Sequence, residues 1–304
     1  MTNGQIDNMA SSGTGTTAPV AGGTARPGRA VVGVDEIAAA VTALAWAARW
    51  ETAARLLASA RASGPDDATS RRLAVAAAAL AVHHDFRTTG PRWAPGAMAA
   101  AQSAAGPDQR GRLDLLRLQY DYEIALTGPD GNPRFGPGGQ DPARLAGLAD
   151  RAEDLARELG EGDGDVSGAG WAAFYRGLIA DNLIGDRAGA PRWFARALDA
   201  AERAGDGYLA GEALRHLGDH DEESGELAQA RARWERSAEL WAGIGNVTGV
   251  LAQQVLLAGL AFREGNPAGG TAIAAEVSRW AGAAGLARYQ KSADELIDRR
   301  QRQQ

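Results

Sequence analysis

With 304 residues, of which 45% are hydrophobic and only 6% aromatic, the chain owes much of its apolar content to alanine, a strong helix former that lets helices approach closely. A net charge of −6 argues against a general affinity for nucleic acid. The absence of cysteine excludes disulfides, thiolate catalysis and Cys-ligated zinc.

Forty glycines, 12 prolines and no long alternating β-branched run point to an all-α protein with many turns. Residues 1–33 are mostly small or polar and cannot bury enough surface to offset their ordering entropy, so a disordered tail is predicted. The opening MTNGQIDNMASSGTG has neither the basic nor the apolar region of a secretory signal. No uninterrupted apolar run is long enough for a membrane span, so no membrane partner and a cytoplasmic location are expected.

Asp35 is a candidate N-cap for a first helix running to about Arg49 through Ile37, Val41, Leu44 and Trp46. Helices follow over about 50–62, closing near Gly64, and over about 69–85, carrying Leu73, Val75, Leu80 and Val82. Gly90-Pro91 breaks the chain before a short helix from about Pro95 to Ala105. The strongest single helix spans about 108–126, with Leu113, Leu116, Tyr120 and Ile124 at spacings of three and four. Leu115, Leu118 and Tyr122 widen its stripe, which places it in the core. A Gly- and Pro-rich loop covers residues 127–141, and Pro142 opens a helix that ends at Gly160.

The stretch 169–285 matches itself when displaced by 40 residues. Gly185, Gly225 and Gly265 fall in step, as do Gly205, Gly245 and Gly285, and Ala190, Ala230 and Gly270. Each unit reads as helix, glycine turn, helix, glycine stop, and such a period marks a solenoid of stacked helical hairpins. Counting closing glycines backwards through Gly160, Gly106 and Gly64 extends the array to five or six hairpins over 34–304. They are degenerate over 34–160 and regular over 169–285, and the 127–141 insertion accounts for the one long step. The last helix, about 286–300, has a single stripe of Leu286, Tyr289 and Leu296 and reads as a capping helix.

With Ala190, Ala230 and Gly270 at the small position that opens a second helix, the first-helix packing positions fall on Phe174 and Gly177, Leu214 and Leu217, and Gln254 and Leu257. The second-helix aromatic position receives Phe194, Trp234 and then Ala274. In these residues the chain resembles the tetratricopeptide-repeat (TPR) family. Its longer period is similar to that of the sensor arms of large ATP-binding bacterial transcription activators. Gly177, Gln254 and Gly270 depart from the family pattern. The resemblance implies a right-handed α-solenoid whose concave groove, lined by first helices, binds a peptide or protein partner. Groove positions carried over to this chain are Tyr175, Ile179, Asn182, Glu212, Arg215, Asp219, Glu222, Val255, Phe262 and Arg263. The middle repeat is acidic apart from Arg215, so a basic or mixed-charge partner is favoured. The phosphate-binding loop G-x-x-x-x-G-K-[ST] does not occur in the sequence.

Four constellations could carry chemistry. His216 and His220 lie four apart on one helix, a spacing that puts two imidazoles on one face beside Asp219 and Glu223. The remaining histidines, His83 and His84, lie several repeats away, so His216 is read as packed between helices, His220 as hydrogen-bonded near a turn, and no metal is expected. His83-His84-Asp85 is read as a helix-end cluster, because neighbouring helical residues diverge by about 100°. The acidic run Asp219, Asp221, Glu222, Glu223 and Glu226 is read as a solvated first-helix end before the Gly225 turn, although negative charge is unfavourable near a helix C-terminus and hints at a partner-binding patch. Pro-Arg-aromatic occurs at 91–93, 133–135 and 191–193, where Trp93 and Phe135 are expected to tuck back and pin their loops and Trp193 to be core. Without a spaced nucleophile and base, a non-enzymatic scaffold without cofactor is favoured over an effector sensor, and over an enzyme with a rim at 83–95 and 127–141.

Overall fold

Among the described residues run thirteen α-helices: α1 (Val34–Trp46), α2 (Trp50–Ala62), α3 (Asp67–Arg87), α4 (Ala94–Ala104), α5 (Arg110–Leu126), α6 (Pro142–Gly160), α7 (Val166–Leu178), α8 (Ala190–Ala204), α9 (Gly207–Glu223), α10 (Leu227–Gly243), α11 (Val247–Arg263), α12 (Pro267–Ala283) and α13 (Ala287–Gln301). The computed structural model describes residues 32–88, 92–127, 134–162 and 164–302, and no β-strand occurs among them. The predicted tail lies outside these residues except for its last two. All the helices belong to one unit, Gly33–Gln304. None is long and apolar enough to cross a membrane.

The glycine rows work as helix stops. Gly185, Gly205, Gly225, Gly245, Gly265 and Gly285 all have φ between +67° and +85°, left-handed backbone that a Cβ would strain. In four of these turns the residue after the glycine caps the next turn of the chain. Asp206 Oδ1 accepts from the Leu209 amide at 3.0 Å and Asn246 Oδ1 from the Gly249 amide at 3.0 Å. Asp186 and Asn266 accept likewise from Gly189 and Gly269. A left-handed glycine followed by Asp or Asn thus ends one helix and prepares the start of the next.

Each helix packs on its successor, and most odd-numbered helices also meet the next odd one, namely α1 with α3, α3 with α5, α5 with α7, α7 with α9 and α11 with α13. The core is accordingly a series of apolar clusters along the stack. One lies among α1–α3, one among α3–α5, a large one from α5 to α9, and smaller ones over α10–α11 and α11–α13.

Small residues on some odd-numbered helices take large ones from the even-numbered helices beside them. A Cβ on Gly211 would fall 2.2 Å from the Trp241 indole nitrogen, and one on Gly218 2.6 Å from that of Trp234. The close approach lets Trp234 Nε1 donate to the Arg215 carbonyl at 3.0 Å and Trp241 Nε1 to the Tyr208 carbonyl at 3.2 Å. The departure at Gly177 has the same origin, whereas at Gly270 the glycine is on α12 and the large ring comes from α11. The Phe194 ring occupies the space beside the first, and the Phe262 ring and the Ala258 carbonyl crowd the second.

Two features break the cadence. Between α7 and α8 the backbone widens into a π turn, Ile179–Ile184. There the insertion docks through its backbone, with the Gly136 amide donating to the Asn182 carbonyl at 2.7 Å and the Arg134 amide to the Leu126 carbonyl at 2.7 Å. The second break is a contact between α1 and α11, ten helices apart in the chain. There Ala48, just past α1, packs into the α11–α13 cluster.

Candidate functional site

The odd-numbered helices bring together a set of aromatic and charged side chains, with Arg87 at its centre. Arg87 ends α3, where a cation suits the negative pole of the helix. Its Nη2 donates to Tyr208 Oη and to Glu212 Oε1 on α9, both at 3.2 Å. Its Nη1 donates to Tyr289 Oη on α13 at 3.1 Å. The Arg87 and Glu212 side chains are only 10% and 11% exposed, so this ion pair is largely desolvated and its loss would leave a buried charge. The Tyr208 ring also meets Trp46 and Trp171, with centroids 5.4 and 5.2 Å apart. His83 lies between Trp50 and Tyr208. Burial, reinforced by Arg87 and His84, brings its pKa down to about 3, and the imidazole stays neutral.

The groove positions named from the sequence divide into two groups. Tyr175 and Ile179 are buried, and Tyr175 packs its ring against Tyr122. Asn182 donates to Tyr122 Oη at 2.7 Å, and Glu212 is the buried partner of Arg87. Arg215, Asp219, Glu222, Val255 and Phe262 are half-buried, and Arg263 is exposed. Glu222 and Arg263 form an ion pair between α9 and α11. Two other run members on α9 also have a cation. Asp221 pairs with Arg233 at 2.9 Å, and Glu223 with Arg187. Arginines of neighbouring elements therefore offset the unfavourable placement of these carboxylates at the end of α9.

His216 and His220 both turn toward Phe194. His216 stacks on the ring with a centroid distance of 4.9 Å, and His220 lies at 6.0 Å. The Arg215 guanidinium meets His216 Nε2 at 2.9 Å. Arginine can only donate, so the imidazole proton resides on Nδ1, 3.7 Å from Asp219. Burial and Arg215 hold the His216 pKa well below its usual value. His220 Nε2 lies 3.4 Å from buried Asp181, which also pairs with Arg187 at 3.0 Å. No group of three or more metal-ligating side chains occurs among the described residues.

His84 and Asp85 do meet, although they are neighbours on a helix, with Nδ1 and Oδ1 2.9 Å apart. Asp85 also accepts from the Trp93 and Ala94 amides at 2.8 and 2.9 Å, which caps the first turn of α4. Trp93 stacks on His84 at 3.7 Å, so its loop is pinned as expected. Thr88 Oγ1 lies 3.3 Å from His84 Nε2. A carboxylate, an imidazole and a hydroxyl thus stand in line, but two backbone amides engage the carboxylate and its clear task is to hold the α3–α4 turn. Phe135 differs from expectation. It is 69% exposed, and its described neighbours are docked instead by the Arg134 and Gly136 amides and by the Gln140 side chain, whose amide donates to the Ala125 carbonyl at 3.1 Å. Trp193 is core, as expected, with Arg176, Arg192 and Arg196 over its ring.

Glu123 was not singled out by the sequence. Only 3% exposed on α5, it accepts from Gln119 at 3.0 Å through Oε1, while Oε2 has no partner. Burial pushes its pKa up to about 8. Arg87, Tyr208 and Tyr289 were missed as a set as well, since a contact spanning 121 to 202 residues leaves no periodic mark.

No protein-family model matches the chain, and no curated protein matches it either.

Proposed function

We propose that the protein is a non-enzymatic binding scaffold, a right-handed TPR-like solenoid of five or six hairpins capped by α13. It holds a peptide or protein partner of basic or mixed charge against its inner helices. One observation carries this reading. Arg215, Asp219 and Glu222 on α9 and Phe262 and Arg263 on α11 form a partly exposed run of charge and aromatic surface across successive inner helices. Polar groups that are rim-exposed and already paired give selectivity and association rate more than raw affinity. A cleft of about 410 Å³ lined by Arg61, Ser70, Arg71 and Ala74 lies at the opposite end of α3 from Arg87. Nothing there favours the effector-sensor reading over the scaffold.

The test is affinity purification from the native host, comparing the wild-type chain with an Arg215→Glu, Glu222→Lys, Arg263→Glu variant. Glu212 is left intact because it is buried against Arg87. A partner that is recovered with the wild type and lost from a variant of unchanged thermal midpoint supports the scaffold. Recovery of the same proteins with both chains rejects this surface.

A further inference from the structure

The hold on Arg87 also shows which chemistry the inner helices accept. Three acceptors converge on one guanidinium: Tyr208 Oη and Glu212 Oε1 from α9 and Tyr289 Oη from α13. The two terminal nitrogens are used at separate angles, which a planar fork can do and a lysine point charge cannot. Arg87 reaches this site from α3, far away in the chain, and its Nε is buried without a partner. The fit is thus good but incomplete.

The surrounding contact is thin. The α1–α3 cluster and the α11–α13 cluster are separate, and Ala48 is the residue from the α1–α2 turn that packs into the latter. Beyond that, the junction consists of ring contacts of Trp46 and His83 with Tyr208 and the Arg87 hydrogen bonds. Opening it would part the Trp46 and His83 rings from Tyr208 and free Ala48 from the α11–α13 cluster, a local rather than a global unfolding. Stacked repeats can accommodate opening by small rotations shared among neighbours.

We propose that Tyr208, Glu212 and Tyr289 form a guanidinium-recognition site that Arg87 occupies in cis, and that an arginine-bearing segment of a partner displaces it. This rests on the scaffold reading and names the partner's chemistry. Arg87 is then a latch. As a tethered competitor at high effective concentration, it divides the intrinsic affinity for the partner down to the fraction of time the site is vacant.

The experiment uses the full chain and two labelled peptides, hepta-arginine and hepta-lysine, followed by fluorescence anisotropy at about 0.15 M salt to suppress long-range attraction. Arg87→Ala vacates the site, and hepta-arginine is expected to bind this variant at least about tenfold more tightly than the wild type. Hepta-lysine gains no comparable affinity, and adding Glu212→Gln to Arg87→Ala removes the gain. Arg87→Met keeps the aliphatic stem and carries the test should the alanine variant lose its cooperative melt. Equal binding by wild type and variant would overturn the proposal and assign Arg87 to closing the junction alone. A gain shared by hepta-lysine, or one that survives Glu212→Gln, would do the same. The two readings fail separately. A native partner lost from the charge-reversal variant but indifferent to Arg87→Ala leaves the scaffold standing and rejects the guanidinium site.

Discussion

Glu123→Gln should stabilise the protein, and more so as the pH rises. Glu123 is buried, one carboxyl oxygen has no partner, and its pKa rises from 4.5 to about 8 on folding. The folded state therefore holds this proton more tightly than the unfolded chain does. A carboxyl raised in this way supports stability fully below pH 4.5, and that support is lost as the pH climbs toward 8. Each pH unit across the interval is worth about 1.4 kcal/mol, so by pH 7 the cost is about 3 kcal/mol. Glutamine keeps an oxygen for the Gln119 amide and carries no charge, so the substitution should recover about 1–3 kcal/mol at pH 7 to 8. Near pH 4.5 it should recover almost nothing. Urea unfolding followed by circular dichroism at pH 4.5, 6, 7 and 8 gives the four values needed. An equal gain at every pH, or a loss at pH 8, would show that the carboxylate is solvated or paired and would refute the reasoning.

Three further outcomes are expected from the packing and the buried imidazoles. Trp234→Ala removes a side chain 3% exposed and its bond to the Arg215 carbonyl; a loss of about 3–5 kcal/mol is expected in denaturant unfolding, and one below about 1 would mean that the indole does not fill the inter-helix space. Gly211→Ala drives a methyl into the Trp241 indole and should cost about 1–3 kcal/mol, which a lowered thermal midpoint would report. His83, neutral with a pKa of about 3 against 6.5 unfolded, supports stability above pH 6.5, and that support fades as the pH falls toward 3. Acid titration of His83→Phe should therefore show a shallower decline than the wild type between pH 6.5 and 4, whereas parallel curves would place the imidazole in solvent.

Local rules made much of the fold legible. The 40-residue match located the glycine stops because left-handed backbone favours glycine at each one. Boundaries of α2, α5 and α6 fall within two residues of those expected, since prolines, glycines and apolar stripes mark them. Asp186, Asp206, Asn246 and Asn266, one residue past the glycines, were equally readable as caps, although the periodicity alone did not draw attention to them. The π turn had no such signal. Within it the Asn182 carbonyl accepts from the inserted loop, a partner more than forty residues away in the chain. The exposure of Phe135 was unreadable for the same reason, as the backbone amide of its neighbour Gly136 does the docking.

What the sequence could not show is that Arg87 of α3 meets Tyr208 and Glu212 of α9 and Tyr289 of α13. A repeat pattern says which side of each helix turns inward, but not whether distant members of the array meet. Glu212 stands at a position that reads as a free groove carboxylate, and only the arrival of α3 makes it a buried partner of Arg87. The consequence is energetic. Removing one member of such a largely desolvated pair strands the other, so Glu212→Ala is a harsher change than Glu222→Ala, whose partner Arg263 is already half exposed. A difference between these two variants, at one and the same formal charge change on one helix, separates a carboxylate that holds a buried arginine from one in a partly exposed ion pair.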